Sequence, residues 1–129
     1  MKSNSQSKHL RYTEIPLPQA VVFYCQEYGI DHIVISPGSR NAPLTNGFTE
    51  NPFFKTYSII DERAAAFFGL GMAQQLDRPV AIVCTSGSAL LNYYPAVAEA
   101  YYSGTPIVIL SADSMPHLTG LGAGETREQ

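Results

Sequence analysis

The amino-acid sequence predicts an α/β domain built in three layers: a mostly parallel sheet with helices on both faces. Three observations carry this. Short strand-like runs alternate with longer helical stretches along most of the chain. The runs HIVIS, PVAIVCT and PIVILSA are apolar almost throughout instead of alternating, as strands covered on both faces are. The 129 residues, 45% of them hydrophobic, suffice for one domain with a core, which excludes global disorder.

The elements follow in order. Residues 1–14 are polar, lack the apolar stretch of a secretory signal, and read as a flexible extension ahead of a domain over 15–129. Leu17 to Tyr28 has a helical apolar face, with Pro18 suited to the first turn and Gly29 to the end. His32 to Ser36 is β-branched and short, a buried strand, and PGSRNAP breaks it. Pro43 to Glu50 predicts a helix that Gly47 weakens. Phe54 to Ile60 reads as a second strand. Glu62 to Leu76 reads as a helix with Asp61 as its N-cap. Pro79 to Thr85 is a third strand, after which Ser86 is expected to cap a helix reaching about Tyr102. Pro106 to Ala112 is the fourth strand, and the crossovers are expected to be right-handed. The terminal GAGETREQ is polar and glycine-rich, so the chain is expected to be a fragment of a longer protein.

Composition narrows the function. The net charge of -3, with no basic run, argues against nucleic acid or an anionic membrane as the main partner. No apolar run approaches a membrane span, and a cytoplasmic protein is expected. Cys25 and Cys84 stand far apart in apolar segments without a CxxC motif, and read as buried thiols in a reducing compartment. His9, His32 and His117 are isolated from one another, so no zinc site is expected and no metal ligand is assigned.

Topology supplies a positional argument. In open α/β sheets, ligands bind beyond the carboxyl ends of the strands. SPGSR, DER, TSGS and SADS each directly follow a predicted strand, so all four should meet at one edge. In DER, Asp61 and Arg63 suit a solvated turn, but small residues after Glu62 let the helix start pack closely. A half-buried carboxyl there suits proton transfer. TSGS is either a plain turn or a place where Gly87 admits a planar or anionic ligand to backbone N–H groups. It lacks the P-loop pattern, and no GxGxxG follows the first strand. Arg40 is either a surface arginine or a bidentate carboxylate ligand. NYYPA supplies aromatic core or interface area, and the tyrosine-rich helix around it suggests a homodimer surface. A serine triad cannot be assembled, because only His117 comes near this edge.

The ordered set ISPGSRNAPLT, DERAAAFFGLGMA, VCTSGSALLNYYPAVAEA and VILSAD is more specific than any piece of it. Over Gln19 to Asp113 it resembles the N-terminal, pyrimidine-binding domain of thiamine-diphosphate-dependent enzymes. Within these it is most similar to the menaquinone-pathway synthases that decarboxylate 2-oxoglutarate and add the resulting carbanion equivalent to isochorismate. The resemblance implies that Glu62 hydrogen-bonds the pyrimidine ring nitrogen and activates the cofactor. It implies that Pro37, Thr85, Ser86 and Gly87 lie beside the pyrimidine. It also places Ser39, Arg40 and Glu125 among substrate-binding positions. It further implies thiamine diphosphate with Mg2+, whose ligands belong to a diphosphate-binding domain absent from this chain. Activity then requires a homo-oligomer of the longer enzyme, and this piece alone is expected to be inactive. Two positions depart from the family pattern: Ser114 stands where an arginine is usual, and Glu125 where a glutamine is usual. They leave open a non-catalytic assembly module, beside a different thiamine-diphosphate decarboxylase or acetolactate-type synthase.

Overall fold

Among the described residues, four short parallel strands run side by side, each reached from the last through a helical segment. The computed structural model describes residues 15–113. The elements are α1 (Pro16–Glu27), β1 (His32–Ile35), α2 (Ala42–Thr49), β2 (Lys55–Ser58), α3 (Glu62–Leu76), β3 (Val80–Cys84), α4 (Ser88–Asn92), α5 (Tyr94–Ser103) and β4 (Ile107–Ser111). The sheet order is β2-β1-β3-β4, with every pairing parallel. The predicted fold class is therefore the observed one.

Burial follows position in that order. The central strands β1 and β3 are buried along their whole length, as their unbroken apolar sequences require. The outer strands are less covered: β2, with the sequence KTYS, is partly exposed, and β4 is half-buried. The continuous burial expected of strands thus holds at the centre and not at the edges. Alternate residues of the central strands serve two cores. Val34, Val80, Ile82 and Cys84 face α3, α4 and α5. Ile33, Ile35, Ala81 and Val83 face α1 and α2.

Helix α3 keeps its sequence boundaries because both ends are chemically marked. Asp61 Oδ1 accepts a hydrogen bond from Ala64 N at 2.7 Å, and Asp77 ends the helix in a left-handed conformation. The helix lies as close to the sheet as backbone allows: a Cβ built on Gly69 would stand 2.6 Å from Ile82 Cγ2.

The single helix expected from Ser86 to Tyr102 is instead two. Gly87 occupies the N-cap of α4, and Ser86 makes no capping bond. Pro95 lacks an N–H and its ring crowds the carbonyl four residues back, so the chain restarts as α5 around it. Residues 1–14, and with them His9, lie outside the described residues, as do Ser114, His117 and Glu125. Among the described residues, no helix is long and apolar enough to cross a membrane.

Candidate functional site at the carboxyl edge of the sheet

Because all strands are parallel, the segments after β1, β2, β3 and β4 emerge at one edge. The clusters picked out in sequence do meet there, the last of them as far as Asp113. Sheet-like hydrogen bonds continue into them: Ser36 N donates to Val83 O at 2.8 Å, Ile59 N to Ile35 O at 3.0 Å, and Ala112 N to Cys84 O at 3.0 Å.

The SPGSR loop is held from inside by a residue that sequence reasoning passed over. Asn41 is wholly buried. Its Nδ2 donates to Ser36 O at 2.8 Å, and its Oδ1 accepts from Gly38 N at 2.8 Å. The loop is pressed onto the next cluster, since a Cβ on Gly38 would stand 2.6 Å from Thr85 Cβ. Only glycine permits that approach. Pro37 and Ser39 are exposed, whereas Arg40 is half-buried. Arg40 lines a groove of about 400 Å³ with Val21, Leu44, Ile109, Ala112 and Asp113. That groove lies on the α1 and α2 side of the edge.

Glu62 lies on the opposite side. It is the first residue of α3 and is half-buried, while Asp61 and Arg63 beside it are exposed. Two of the three charges stand as expected: Asp61 caps the helix and Glu62 is half-buried. Arg63 stays exposed, and among the described residues the only arginine in a salt bridge is Arg78.

In TSGS, Thr85 is half-buried and Ser86 fully buried. Gly87 has φ 77 and ψ -138, backbone angles that residues with a Cβ avoid. The most unusual chemistry lies just behind. Ser36, Ser86 and Tyr93 are buried, and their hydroxyl oxygens have no hydrogen-bond partner; the buried Oγ1 of Thr45 shares this state. All four stand on segments that follow β1 or β3. Burial pushes the Tyr93 phenol well above its ordinary value, and the charge of Glu62 adds to this. Burial likewise pushes the Cys84 thiol up to about 11, against a hydrogen-bonding influence from Tyr93 and with the Glu62 charge assisting. Tyr93 had been read only as aromatic area. Pro95, in the first turn of α5 just after it, was the available signal that the chain breaks here.

A family description, thiamine pyrophosphate enzyme, N-terminal TPP binding domain, matches residues 17–128. The chain belongs to this family. It is 63% identical over 118 residues to the 2-succinyl-5-enolpyruvyl-6-hydroxy-3-cyclohexene-1-carboxylate synthase of Flavobacterium psychrophilum, a match covering 92% of this chain and 22% of that protein. The synthase of the same name from Christiangramia forsetii is 59% identical over 120 residues, covering 93% and 21%. The chain thus spans about a fifth of the length of these curated relatives. Among solved structures, the 4-hydroxybenzoylformate decarboxylase of Rhodococcus jostii aligns with a TM-score of 0.75 at 16% identity, covering 84% of this chain and 20% of that one. Benzoylformate decarboxylase from Polynucleobacter necessarius gives 0.72 at 20%, with the same coverages. At these identities the likeness is one of fold.

The edge fits one end of the cofactor that defines the thiamine pyrophosphate family. The edge offers a backbone turn without a side chain at Gly87 and a half-buried carboxyl at Glu62, the kinds of group that a flat, polar-rimmed ring can lie against. Among the described residues, no group of three or more His, Cys, Asp or Glu is gathered to hold a metal ion.

Proposed function

We propose that this chain is the pyrimidine-binding part of a menaquinone-pathway synthase that decarboxylates 2-oxoglutarate and adds the remaining four-carbon unit to isochorismate. The observation that carries the reading is the 63% identity to a synthase of that name across nearly the whole chain. The bound thiamine diphosphate supplies the electron sink for the carbon chemistry.

The residues of this chain bind, orient and hold a proton. Glu62 keeps a proton between its carboxyl and the pyrimidine ring nitrogen; its half-buried place in the first turn of α3 supports this. Pro37, Thr85, Ser86 and Gly87 form the wall beside the ring. Ser86 does so from beneath, since it is wholly buried. Ser39 and Arg40 receive the carboxylates of the substrates, Arg40 from the groove between α1, α2 and the end of β4. Glu125, assigned to the same task, lies outside the described residues. Mg2+ and the diphosphate are held by the remainder of the longer enzyme. The exposed Leu91, Tyr94, Tyr101 and Tyr102 on α4 and α5 support a homodimer surface. Two buried free thiols suit the cytoplasm.

The test is a steady-state assay of the full-length enzyme with thiamine diphosphate, Mg2+, 2-oxoglutarate and isochorismate. Product formation is expected, with loss of at least about 100-fold in Glu62→Gln. Consumption of pyruvate in place of 2-oxoglutarate, or an unimpaired Glu62→Gln enzyme, would overturn the reading.

A further inference from the structure

Asn41 stands at the N-cap of α2, where asparagine ordinarily accepts a hydrogen bond from one of the first helical N–H groups. Here its side chain makes no such bond. The second residue of the helix is Pro43, which has no N–H to offer. The amide is turned instead toward the loop before it: Nδ2 donates to Ser36 O and Oδ1 accepts from Gly38 N, each at 2.8 Å. The residue is wholly buried, where such bonds are stronger than in water. The two bonds close the segment from Ser36 to Asn41 into a ring that contains Ser39 and Arg40. Both ends of the ring are anchored: Ser36 N donates to Val83 O at 2.8 Å, and Asn41 O accepts from Thr45 N at 2.9 Å. Its middle is pressed onto the next cluster, because Gly38 leaves no room for a Cβ beside Thr85. Among the described residues, Arg78 is the only arginine in a salt bridge. The backbone of this ring, not an ion pair within it, therefore sets where the Arg40 guanidinium can reach.

We propose that Asn41 is a positioning residue that couples the Arg40 side of the site to the pyrimidine wall. Through Ser36 O it fixes the base of the loop from which Ser39 and Arg40 reach the substrates. Through Gly38 N it holds the turn against Thr85, a member of the wall. This rests on the reading of Arg40 as a carboxylate ligand and of Thr85 as a neighbour of the pyrimidine. Being wholly buried, Asn41 acts through these neighbours and touches neither substrate nor cofactor. One amide thus serves two subsites, and its loss weakens both together.

The experiment compares Asn41→Ala and Asn41→Ser with the parent full-length enzyme, well below their thermal midpoints. Alanine removes both bonds, whereas the serine hydroxyl is able to make one of them. In steady-state assays with thiamine diphosphate and Mg2+, the KM for 2-oxoglutarate or isochorismate is expected to rise about tenfold or more in Asn41→Ala, with kcat changed by less than about threefold. Calorimetric titration of the cofactor-free enzyme with thiamine diphosphate and Mg2+ should show binding weakened by about threefold or more. Hydrogen exchange of the peptide carrying Gly38, read by mass spectrometry, should quicken in the same variant. Asn41→Ser is expected to fall between parent and Asn41→Ala in all three measurements, and carries the test if Asn41→Ala does not fold. A merely structural residue would lower kcat, as active enzyme is lost, at unchanged KM; that result overturns the proposal. Parental KM and cofactor affinity in every variant that folds overturn it as well. A parent enzyme that consumes pyruvate in place of 2-oxoglutarate would sink the synthase reading alone, because the calorimetry and the exchange still decide the role of Asn41.

Discussion

The two ends of the strands treat their buried polar groups in opposite ways. At the amino end, where β1 begins, His32 is buried and paired: its Nδ1 lies 2.7 Å from Asp31 Oδ1, and Arg78 Nη2 lies 3.1 Å from the same oxygen. The ring also stacks on Tyr57 with the planes 11° apart. Nearby, Asn51 Nδ2 donates to Gln26 Oε1 at 3.0 Å, and its Oδ1 accepts from Phe53 N at 3.0 Å. At the carboxyl end, by contrast, Ser36, Ser86 and Tyr93 keep unpartnered hydroxyls, and Gly87 holds a backbone conformation reserved for glycine. One end spends its polar groups on stability. The other pairs Asn41 within its loop and leaves three hydroxyls without a protein partner, which costs stability.

This contrast can be broken by substitutions at either end. The largest effect is expected from Glu62→Gln, with turnover down at least about 100-fold and the thermal midpoint almost unmoved; a large drop in midpoint would make Glu62 a structural residue. Asn41→Ala strands Ser36 O and Gly38 N, so a loss of about 2–4 kcal/mol is expected in urea denaturation, with weaker cofactor binding. A stable variant with normal cofactor affinity would show that the loop needs no internal brace. At the amino end, Asp31→Ala removes the carboxylate that buried His32 and Arg78 share and should cost about 1–3 kcal/mol without changing turnover. Lost activity there would erase the division of labour.

Asp31 also sets a pH dependence. Partial burial opposes its ionisation, but the hydrogen bond from His32 and the charges of His32 and Arg78 outweigh this and hold its carboxyl below the usual 3.8. A carboxyl lowered on folding stabilises the native state above its unfolded value and loses that contribution as pH falls through the folded one. Stability should therefore fall below about pH 4, and less steeply in Asp31→Ala. Comparing denaturant midpoints at pH 3 and pH 6 for both proteins checks the slope. The smallest effect is expected from Thr45→Val, which removes an unpartnered hydroxyl at constant shape and should raise stability by up to about 1 kcal/mol. A loss would mean that the hydroxyl has a partner in solution.

What was legible in the sequence was local. Asp61 and the apolar run to Leu76 announced α3, and the β-branched runs announced the central strands, because caps and periodicity act over a few residues. The convergence of the four clusters was also legible, since parallel topology alone dictates it. What escaped depends on contacts between distant residues. Arg78 meets Asp31 across 47 positions only because β3 lies beside β1. The brace at Asn41 and the burial of Tyr93 likewise arise only when neighbouring segments close around them. The break between α4 and α5 was readable from Pro95, and the long apolar pattern concealed it.

The near-contact between Gly69 and Ile82 has a consequence for inheritance. Position 69 lies seven residues from Glu62, about 10 Å along the helix axis. Alanine there would favour the helix by about 1 kcal/mol in isolation. In place, its one methyl group would wedge α3 away from β3, with the displacement carried up the helix to the carboxyl at its tip. A single codon change at a site that touches no ligand would thus be passed on as a defect of the reaction, in a protein that still folds.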